Sequence, residues 1–187
     1  MEWTLSKKAD FVSSSLRGGT VNEAVRKSSL LYDLGPLKKV FKERVRNDLP
    51  EWIKTMRATS FPFQGSELEI VAHNDGAHFR FHTDTGINYL HDGRSRRVLS
   101  GVYYFNREPK AFTGGQLRLF PIGTRSEDVY GDKEPECVVI EPEQNSFAIF
   151  PSWAPHDVAR VTCESKAFAD SRFAVNCWMH ETVEPTA

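Results

Sequence analysis

A succession of short β-type segments, each followed by turn residues, constrains the fold of this chain more than any other feature. The pattern begins near Phe61 and continues almost to the C-terminal end. Asn74-Asp75-Gly76 and Thr113-Gly114-Gly115 are strong turn signals within it. Many short strands with few helices among them predict a mostly β sandwich or jelly roll. The strands are expected near residues 67–73, 78–84, 97–106, 115–120, 136–141, 146–150, 156–162 and 172–180.

The N-terminal third is predicted to be helical in part. Pro36 suits the first turn of a helix, and apolar residues follow it at helical spacing. Pro50 interrupts the pattern, so we expect one helix, whole or broken, from about Pro36 to about Met56. The chain then divides into N-terminal helices and a strand that support the core (1–60), the β domain (61–181) and a tail (182–187).

The composition argues against several classes of function. The 187 residues carry a formal net charge of −1, so no overall field favours nucleic acid or a membrane surface as a partner. No apolar run is long enough for a membrane span, and residues 1–10 lack the apolar centre of a secretory signal. The three cysteines have no zinc-binding or disulfide spacing, which favours a reducing cytoplasm.

The triplet His82-Thr83-Asp84 is the strongest candidate for chemistry. Alternation along a strand places His82 and Asp84 on one face with Arg80, and Phe79 on the other. His156 follows an apolar strand and a proline-bounded turn, and would add a second imidazole. Two imidazoles and one carboxylate suit Fe(II) and leave positions open for substrates and O₂. The alternatives are an ordinary half-buried strand and a surface histidine that caps a turn.

Arg172 opens the last strand and is flanked by apolar residues. A buried arginine needs a partner, because an unpaired buried charge is very costly. That partner is either Asp170 or a glutamate in a structural ion pair, or the carboxylate of a substrate held by two parallel hydrogen bonds. Tyr104, on the same face of its strand as Ser100, is either a second hydrogen-bond donor to that carboxylate or an aromatic core residue.

Five blocks of sequence in this order resemble the prolyl-hydroxylase-type branch of the 2-oxoglutarate- and Fe(II)-dependent dioxygenases. The resemblance covers roughly residues 60–181, and residues 26–31 resemble an N-terminal strand of the same family more weakly. The blocks are G-A-H-F-R-F-H-T-D (76–84), R-V-L-S-G-V-Y-Y-F-N (97–106), T-G-G-Q-L-R-L-F-P (113–121), P-S-W-A-P-H-D-V (151–158) and S-R-F-A-V-N-C-W (171–178).

The resemblance implies a double-stranded β-helix, a jelly-roll or cupin-like core, with a metal between its sheets. Its iron ligands would be His82, Asp84 and His156. Arg172 would bind the distal carboxylate of 2-oxoglutarate. Other positions that match the co-substrate pocket are Tyr104, Ser100, Val158 and Trp178. His73 stands where the family often has a tyrosine, so the wall near iron and substrate is expected to differ.

The implied reaction consumes O₂ and 2-oxoglutarate at Fe(II), hydroxylates a C–H bond, and releases succinate and CO₂. Ascorbate is the expected reductant. The substrate is either a prolyl or other residue of a protein or peptide, or a free amino acid or other small molecule. We expect substrate contacts from His73, Arg80, Asn88 and Tyr89. The last two belong to the loop Thr85–Arg96, which could instead be a solvated lid without direct contact.

A competing function is that of a non-oxygenase metal-binding protein of cupin type, acting as an isomerase or a small-molecule sensor. Such a protein needs the histidines. It does not need a carboxylate clamp made by Arg172 and Tyr104, so the partner of Arg172 separates the two functions.

Overall fold

Two antiparallel β-sheets with opposed inner faces form most of the molecule, with a two-stranded ribbon beside them. The computed structural model describes residues 1–16, 19–85, 95–131 and 135–182. This is the mostly β, double-stranded β-helix fold predicted from the sequence. The strands are β1 (Val12–Ser13), β2 (Arg26–Lys27), β3 (Ser29–Leu31), β4 (Phe63–His73), β5 (His78–His82), β6 (Ser95–Phe105), β7 (Thr113–Gly114), β8 (Leu117–Leu119), β9 (Val138–Ile140), β10 (Ser146–Pro151), β11 (His156–Val158), β12 (Val161–Thr162) and β13 (Arg172–Thr182).

Helices are few in the described ranges. They are α1 (Glu2–Ser6), α2 (Leu37–Thr55) and α3 (Ser126–Val129), with short 3₁₀ turns at Lys8–Asp10 and Phe168–Asp170. None of them is long and apolar enough to cross a membrane. The short α3 lies between the strands expected near residues 115–120 and 136–141, where no helix was predicted.

The larger sheet has the strand order β1-β3-β4-β13-β6-β10 in the part of the chain that the structure describes. Its central strands are β4, β13 and β6, and each is 11 residues long. In their register Arg172 pairs with His73, and Trp178 pairs with Ser100. Because side chains alternate along a strand, Arg172, Ala174, Asn176 and Trp178 share a face, and that face points toward the smaller sheet.

The outer face of the larger sheet is covered by α2. Val45 and Leu49 of the helix pack against Leu99, Cys177 and Met179 of the sheet, and all five are buried. The helix continues through its internal proline without a break. A proline inside a helix costs about 3 kcal/mol or more. Burial of each apolar side chain contributes about 1.5–3 kcal/mol, so the packing of the helix face outweighs the cost of one internal proline.

The smaller sheet has the order β2-β5-β11-β8-β9 and carries a bulge that the sequence did not reveal. His156 pairs with His82 and Val158 with Phe79, so β11 advances two residues while β5 advances three. The extra residue turns Phe79 to the face of His82, and their rings stack with centroids 3.6 Å apart. The strict alternation predicted for residues 78–84 is therefore wrong.

Other differences concern where strands end. The predicted strand 156–162 is two strands, β11 and β12, which belong to different sheets. The weakly predicted strand at residues 26–31 also divides, because β2 pairs with β5 in the smaller sheet and β3 pairs with β4 in the larger. Residues 1–60 therefore contribute strands to both sheets as well as the supporting helix.

A cluster of charged and aromatic side chains joins three strands near the C-terminal end of β13. Glu67 accepts a hydrogen bond from Arg97 at 2.5 Å, and His180 Nε2 lies 3.0 Å from its other oxygen. The Arg97 guanidinium also stacks over Trp178, with its carbon 4.0 Å from the ring centroid. Burial would raise the pKa of Glu67, but the hydrogen bond of His180 and the charge of Arg97 outweigh it and lower the pKa to about 2.

This shift predicts an acid-dependent stability. A carboxyl group whose folded-state pKa is depressed contributes stability above its unfolded pKa, and that contribution is lost as the pH falls through the folded value. Glu67→Gln should reduce the free energy of unfolding by roughly 1 kcal/mol at pH 7, since Glu67 is partly exposed and screened. The difference from wild type should shrink between about pH 4.5 and about pH 2 in urea titrations. A difference that does not change with pH would contradict the assignment.

Docking of α2 is tested by two substitutions on the same helix. Leu49 is 4% exposed, and Leu49→Ala should lower the free energy of unfolding by about 2–5 kcal/mol because it opens a cavity against the sheet. Val40 is 64% exposed, so Val40→Ala should stay within about 0.5 kcal/mol of wild type. Equal effects on the urea midpoint would mean that the helix does not pack as described.

Candidate metal centre and adjoining cavity

Three potential metal ligands converge at the rim of the smaller sheet. His82, Asp84 and His156 each offer one ligand atom, and these atoms lie within 4.8 Å of one another. The two histidines are register partners on β5 and β11, and Asp84 follows the end of β5. His82 Nε2 to Asp84 Oδ1 and His156 Nε2 to Asp84 Oδ2 are both 3.7 Å. These separations are too long for hydrogen bonds, so the three groups face a shared space.

Both imidazole rings are held in one tautomer by backbone carbonyls. His82 Nδ1 lies 2.7 Å from the carbonyl oxygen of Arg80, and His156 Nδ1 lies 2.8 Å from that of Ala154. A carbonyl only accepts, so each Nδ1 carries the hydrogen and each Nε2 keeps its lone pair. Histidines that bind metals are oriented in this way by a partner on the second nitrogen.

Electrostatics favours the protonation states that a metal requires. Burial, followed by the charge of His156, lowers the pKa of His82 to about 3, so its ring is neutral at pH 7. Burial alone would raise the pKa of Asp84, but the neighbouring histidines and the Ser100 hydroxyl outweigh it and lower the pKa. Neutral imidazole and ionised carboxylate are the forms that bind a cation.

Ser100 lines the same cavity as Arg172, but its hydrogen bonds lead to the candidate metal ligands. It was expected beside the co-substrate carboxylate, but its Oγ donates to Asp84 Oδ2 at 2.5 Å and lies 2.9 Å from Ser152 Oγ. The cause is its position on β6. Ser100 pairs with Trp178 at the metal end of the inner face, whereas Tyr104 pairs with Ala174 nearer to Arg172.

A buried cavity extends from the three ligands into the space between the sheets. Residues of both sheets line it, and among them the structure brings together five that the sequence singled out beyond the metal ligands and Ser100. They are His73, Tyr104, Val158, Arg172 and Trp178.

Arg80, predicted as a substrate contact, lies outside the cavity. The bulge in β5 turns it to the outer face of the smaller sheet, where it is exposed and its guanidinium stacks over Tyr130 at 4.2 Å. Two other predicted substrate contacts, Asn88 and Tyr89, lie outside the described residues. Their roles stay predictions.

Arg172 is a buried cation without a carboxylate partner among the described residues. It is 2% exposed, and its Nη1 donates to His73 Nδ1 at 3.2 Å. Asp170, the ion-pair partner considered from the sequence, binds Arg107 instead, with Nη2 to Oδ1 at 2.5 Å. Burial lowers the pKa of Arg172, because the interior of the protein disfavours the charged form. The cavity therefore provides a place for an anion.

Three hydrogen-bond donors beside this cation have no partner of good geometry in the described part of the chain. They are Arg172 Nε, Tyr104 Oη and His73 Nε2. Burial raises the pKa of Tyr104, so its hydroxyl keeps its proton. Because His73 accepts from Arg172 through Nδ1, its own hydrogen is on Nε2. Burial and the charge of Arg172 hold the pKa of His73 well below its usual range. A carboxylate can accept from several such donors at once.

Arg26 and Phe79 are among the site residues that were missed from the sequence. Arg26 stacks over Phe79, with 4.7 Å between its guanidinium carbon and the ring centroid, and pairs with Glu69 at 3.2 Å. Phe79 in turn stacks on His82, so this column of side chains holds the imidazole ring. Residues 26–31 were singled out only as a weakly matching strand, and strict alternation placed Phe79 on the opposite face from His82, so neither side chain was assigned to the site.

The family follows from a comparison of the sequence with family models. The model of the 2OG-Fe(II) oxygenase superfamily matches residues 68–180. The chain belongs to this superfamily. Membership implies Fe(II), 2-oxoglutarate and O₂ as requirements, and the donor set of the cavity fits a metal and a dicarboxylate. An uncharacterized PKHD-type hydroxylase from Synechocystis is 34% identical over 179 residues, which is 95% of this chain. The chain spans about half, 56%, of that relative's length.

Solved structures of prolyl hydroxylases share the fold. A prolyl-4-hydroxylase from Pseudomonas putida superposes with a TM-score of 0.64 at 17% identity, over 96% of this chain and 81% of its own. A prolyl hydroxylase from Trichoplax adhaerens, in complex with a peptide fragment of the hypoxia inducible factor oxygen degradation domain, gives 0.63 at 18% identity. That match covers 95% of this chain and 73% of the other. At these identities the similarity shows the fold alone.

Proposed function

We propose that this oxygenase hydroxylates an unactivated C–H bond of an amino-acid-type substrate, with succinate and CO₂ as co-products. The observation that supports this most strongly is the buried Arg172 guanidinium, which has no carboxylate partner among the described residues and lies in the same cavity as the His–Asp–His cluster. A cupin-type isomerase or sensor would use the cluster and would have no need for a buried cation that lacks a counter-charge.

In this proposal His82 Nε2, Asp84 and His156 Nε2 hold Fe(II). Two imidazoles and a carboxylate on one side of the metal leave positions open on the other. When bound, Fe(II) and 2-oxoglutarate together supply the oxidation of a C–H bond by O₂, coupled to loss of CO₂. The protein's task is to fix the geometry of the ligands and to keep bulk water away from the reaction.

Arg172 and Tyr104 would bind the distal carboxylate of 2-oxoglutarate. The guanidinium offers a planar, permanently charged fork, and the tyrosine hydroxyl a neutral donor. His73 Nε2–H lies beside them and is available to an oxygen of the same ligand. Val158 and Trp178 would enclose its carbon chain. We also propose ascorbate as reductant and a reducing, cytoplasmic setting.

The substrate is proposed at the level of class, as a prolyl or other peptidyl residue or a free amino acid or other small molecule. Both forms are compatible with a cavity that begins at the three candidate metal ligands. The loop Thr85–Arg96, with Asn88 and Tyr89, is the proposed substrate-contacting segment, and most of it lies outside the described residues.

The co-substrate site is tested by anaerobic titration of Fe(II) and 2-oxoglutarate. Wild type should develop the visible charge-transfer band of an Fe(II)–2-oxoglutarate chelate. His82→Ala should abolish it, because a metal ligand is lost. Arg172→Ala should weaken 2-oxoglutarate binding by at least about 30-fold, since removing one partner of a buried charge pair costs about 2–5 kcal/mol. Arg172→Lys should recover part of the affinity, because the charge remains but the fork is lost.

Arg44→Ala provides the control for this titration, because Arg44 is 78% exposed on the outside of α2. It should bind 2-oxoglutarate like wild type. If wild type binds metal but never forms the chelate, the oxygenase proposal fails and the cupin-type alternative replaces it.

The substrate class is tested by supplying the loaded enzyme with proline-containing peptides and, separately, with free amino acids. A true substrate should stimulate succinate release and gain the mass of one oxygen atom. Stimulation by one set alone decides between the peptidyl and the small-molecule form. Uncoupled succinate release without a modified product from either set would exclude an amino-acid-type substrate.

A further inference from the structure

Ser152 lies in the turn between β10 and β11 and contacts the Asp84 region through both its backbone and its side chain. It is fully buried. Its carbonyl oxygen accepts from the backbone N–H of Asp84 at 2.9 Å and of Thr85 at 3.1 Å, and its own N–H donates to the carbonyl of Val98 at 2.9 Å. Its hydroxyl lies 2.9 Å from that of Ser100.

The direction of the hydroxyl hydrogen bonds follows from the chemistry of the terminal acceptor. An ionised carboxylate can only accept, so the Ser100 hydroxyl must donate to Asp84 Oδ2. Its single hydrogen is then used, and Ser100 can only accept from Ser152. The hydrogen bonds therefore run from Ser152 to Ser100 to Asp84 Oδ2, and both hydroxyls are buried.

We propose that Ser152 and Ser100 are positioning residues that hold Asp84 as a metal ligand through a single oxygen. This inference rests on the proposed function of the cluster. Ser100 donates to Oδ2, and the Trp178 side chain also hydrogen-bonds the carboxylate. Oδ1 lies 3.7 Å from His82 Nε2 and is the oxygen that this arrangement offers to a metal. An aspartate held in this way takes one coordination position and keeps the others for ligands that arrive later. A rotated carboxylate could take two positions and block one of them.

The same turn also sets the second histidine. Ala154 N–H donates to the carbonyl of Pro151 at 2.9 Å, and the carbonyl of Ala154 accepts from His156 Nδ1 at 2.8 Å. The segment 151–156 thus orients one imidazole directly and the carboxylate through two serines. Buried hydroxyls can satisfy themselves on backbone carbonyls anywhere in a core. Here the Ser100 hydroxyl donates to the Asp84 carboxylate instead, and the Ser152 hydroxyl donates to Ser100.

The test compares Ser100→Ala and Ser152→Ala with Ser14→Ala. Ser14 is the matched control, because it is also buried and its hydroxyl also pairs with that of a serine, Ser28, at 2.6 Å. Ser14 follows β1, which lies on the opposite side of β4 from β13, the strand of Arg172. The probe is Co(II), followed by its visible spectrum and its affinity, with urea unfolding measured in parallel. Losing a group that orients a metal ligand typically costs about 10–100-fold in metal affinity.

We expect Ser100→Ala to weaken Co(II) binding by about 10–100-fold and to change the spectrum, because the carboxylate becomes free to rotate. Ser152→Ala should also weaken Co(II) binding and change the spectrum, but by less than Ser100→Ala. Ser100→Thr, which keeps the hydroxyl, should restore the spectrum. Ser14→Ala should lower stability without altering Co(II) affinity or spectrum.

Wild-type affinity and spectrum in folded Ser100→Ala would overturn the positioning role while leaving the proposed function intact. An equal loss of affinity in Ser14→Ala would also overturn it, since the effect would then be one of general stability. A wild-type chain that binds neither Co(II) nor Fe(II) would overturn the proposed function itself, and this inference with it.

Discussion

The buried guanidinium of Arg172 is the constraint on which the rest of the site depends. A charge in the interior without a counter-charge costs several kcal/mol, and the described residues set only neutral groups against it, the His73 ring and the Tyr104 side chain. Such a site is stable only if the remainder of the fold is rigid enough to hold it. The site also favours an anion, because a carboxylate that binds there supplies the counter-charge that the described residues do not give to Arg172.

Each of the two sheets contributes different residues to this site. The smaller sheet provides the proposed metal ligands, which are the register pair His82 and His156 and the carboxylate that follows the end of β5. The larger sheet provides the cation, the tyrosine and the serine that orients the carboxylate, all on the inner face of its central strands. The distance between a bound metal and the carboxylate clamp would therefore depend on the spacing of the two sheets.

Much of the fold and of the candidate site could be predicted from the sequence, because turn residues, strand composition and motifs are local signals. Turn residues and strand composition located the main strands, and ordered blocks revealed the family. Inter-sheet contacts have no such signature. The bulge in β5 adds one residue without changing the composition, so Phe79 and Arg80 were assigned to the wrong faces. The hydrogen bond of Ser100 to Asp84 was not foreseen, because alternation along a strand gives the face of a residue but not its position along the cavity. Ser152 appeared only as part of a turn, although its backbone and hydroxyl both serve Asp84.

The central claim is that one cavity holds both a metal and a dicarboxylate. An anaerobic crystal structure with Mn(II) and 2-oxoglutarate tests it most directly. We expect a metal bound by His82 Nε2, one oxygen of Asp84 and His156 Nε2, with the distal carboxylate of 2-oxoglutarate on Arg172 and Tyr104. A metal bound elsewhere, or Arg172 paired with a protein carboxylate while 2-oxoglutarate lies outside the cavity, would contradict it.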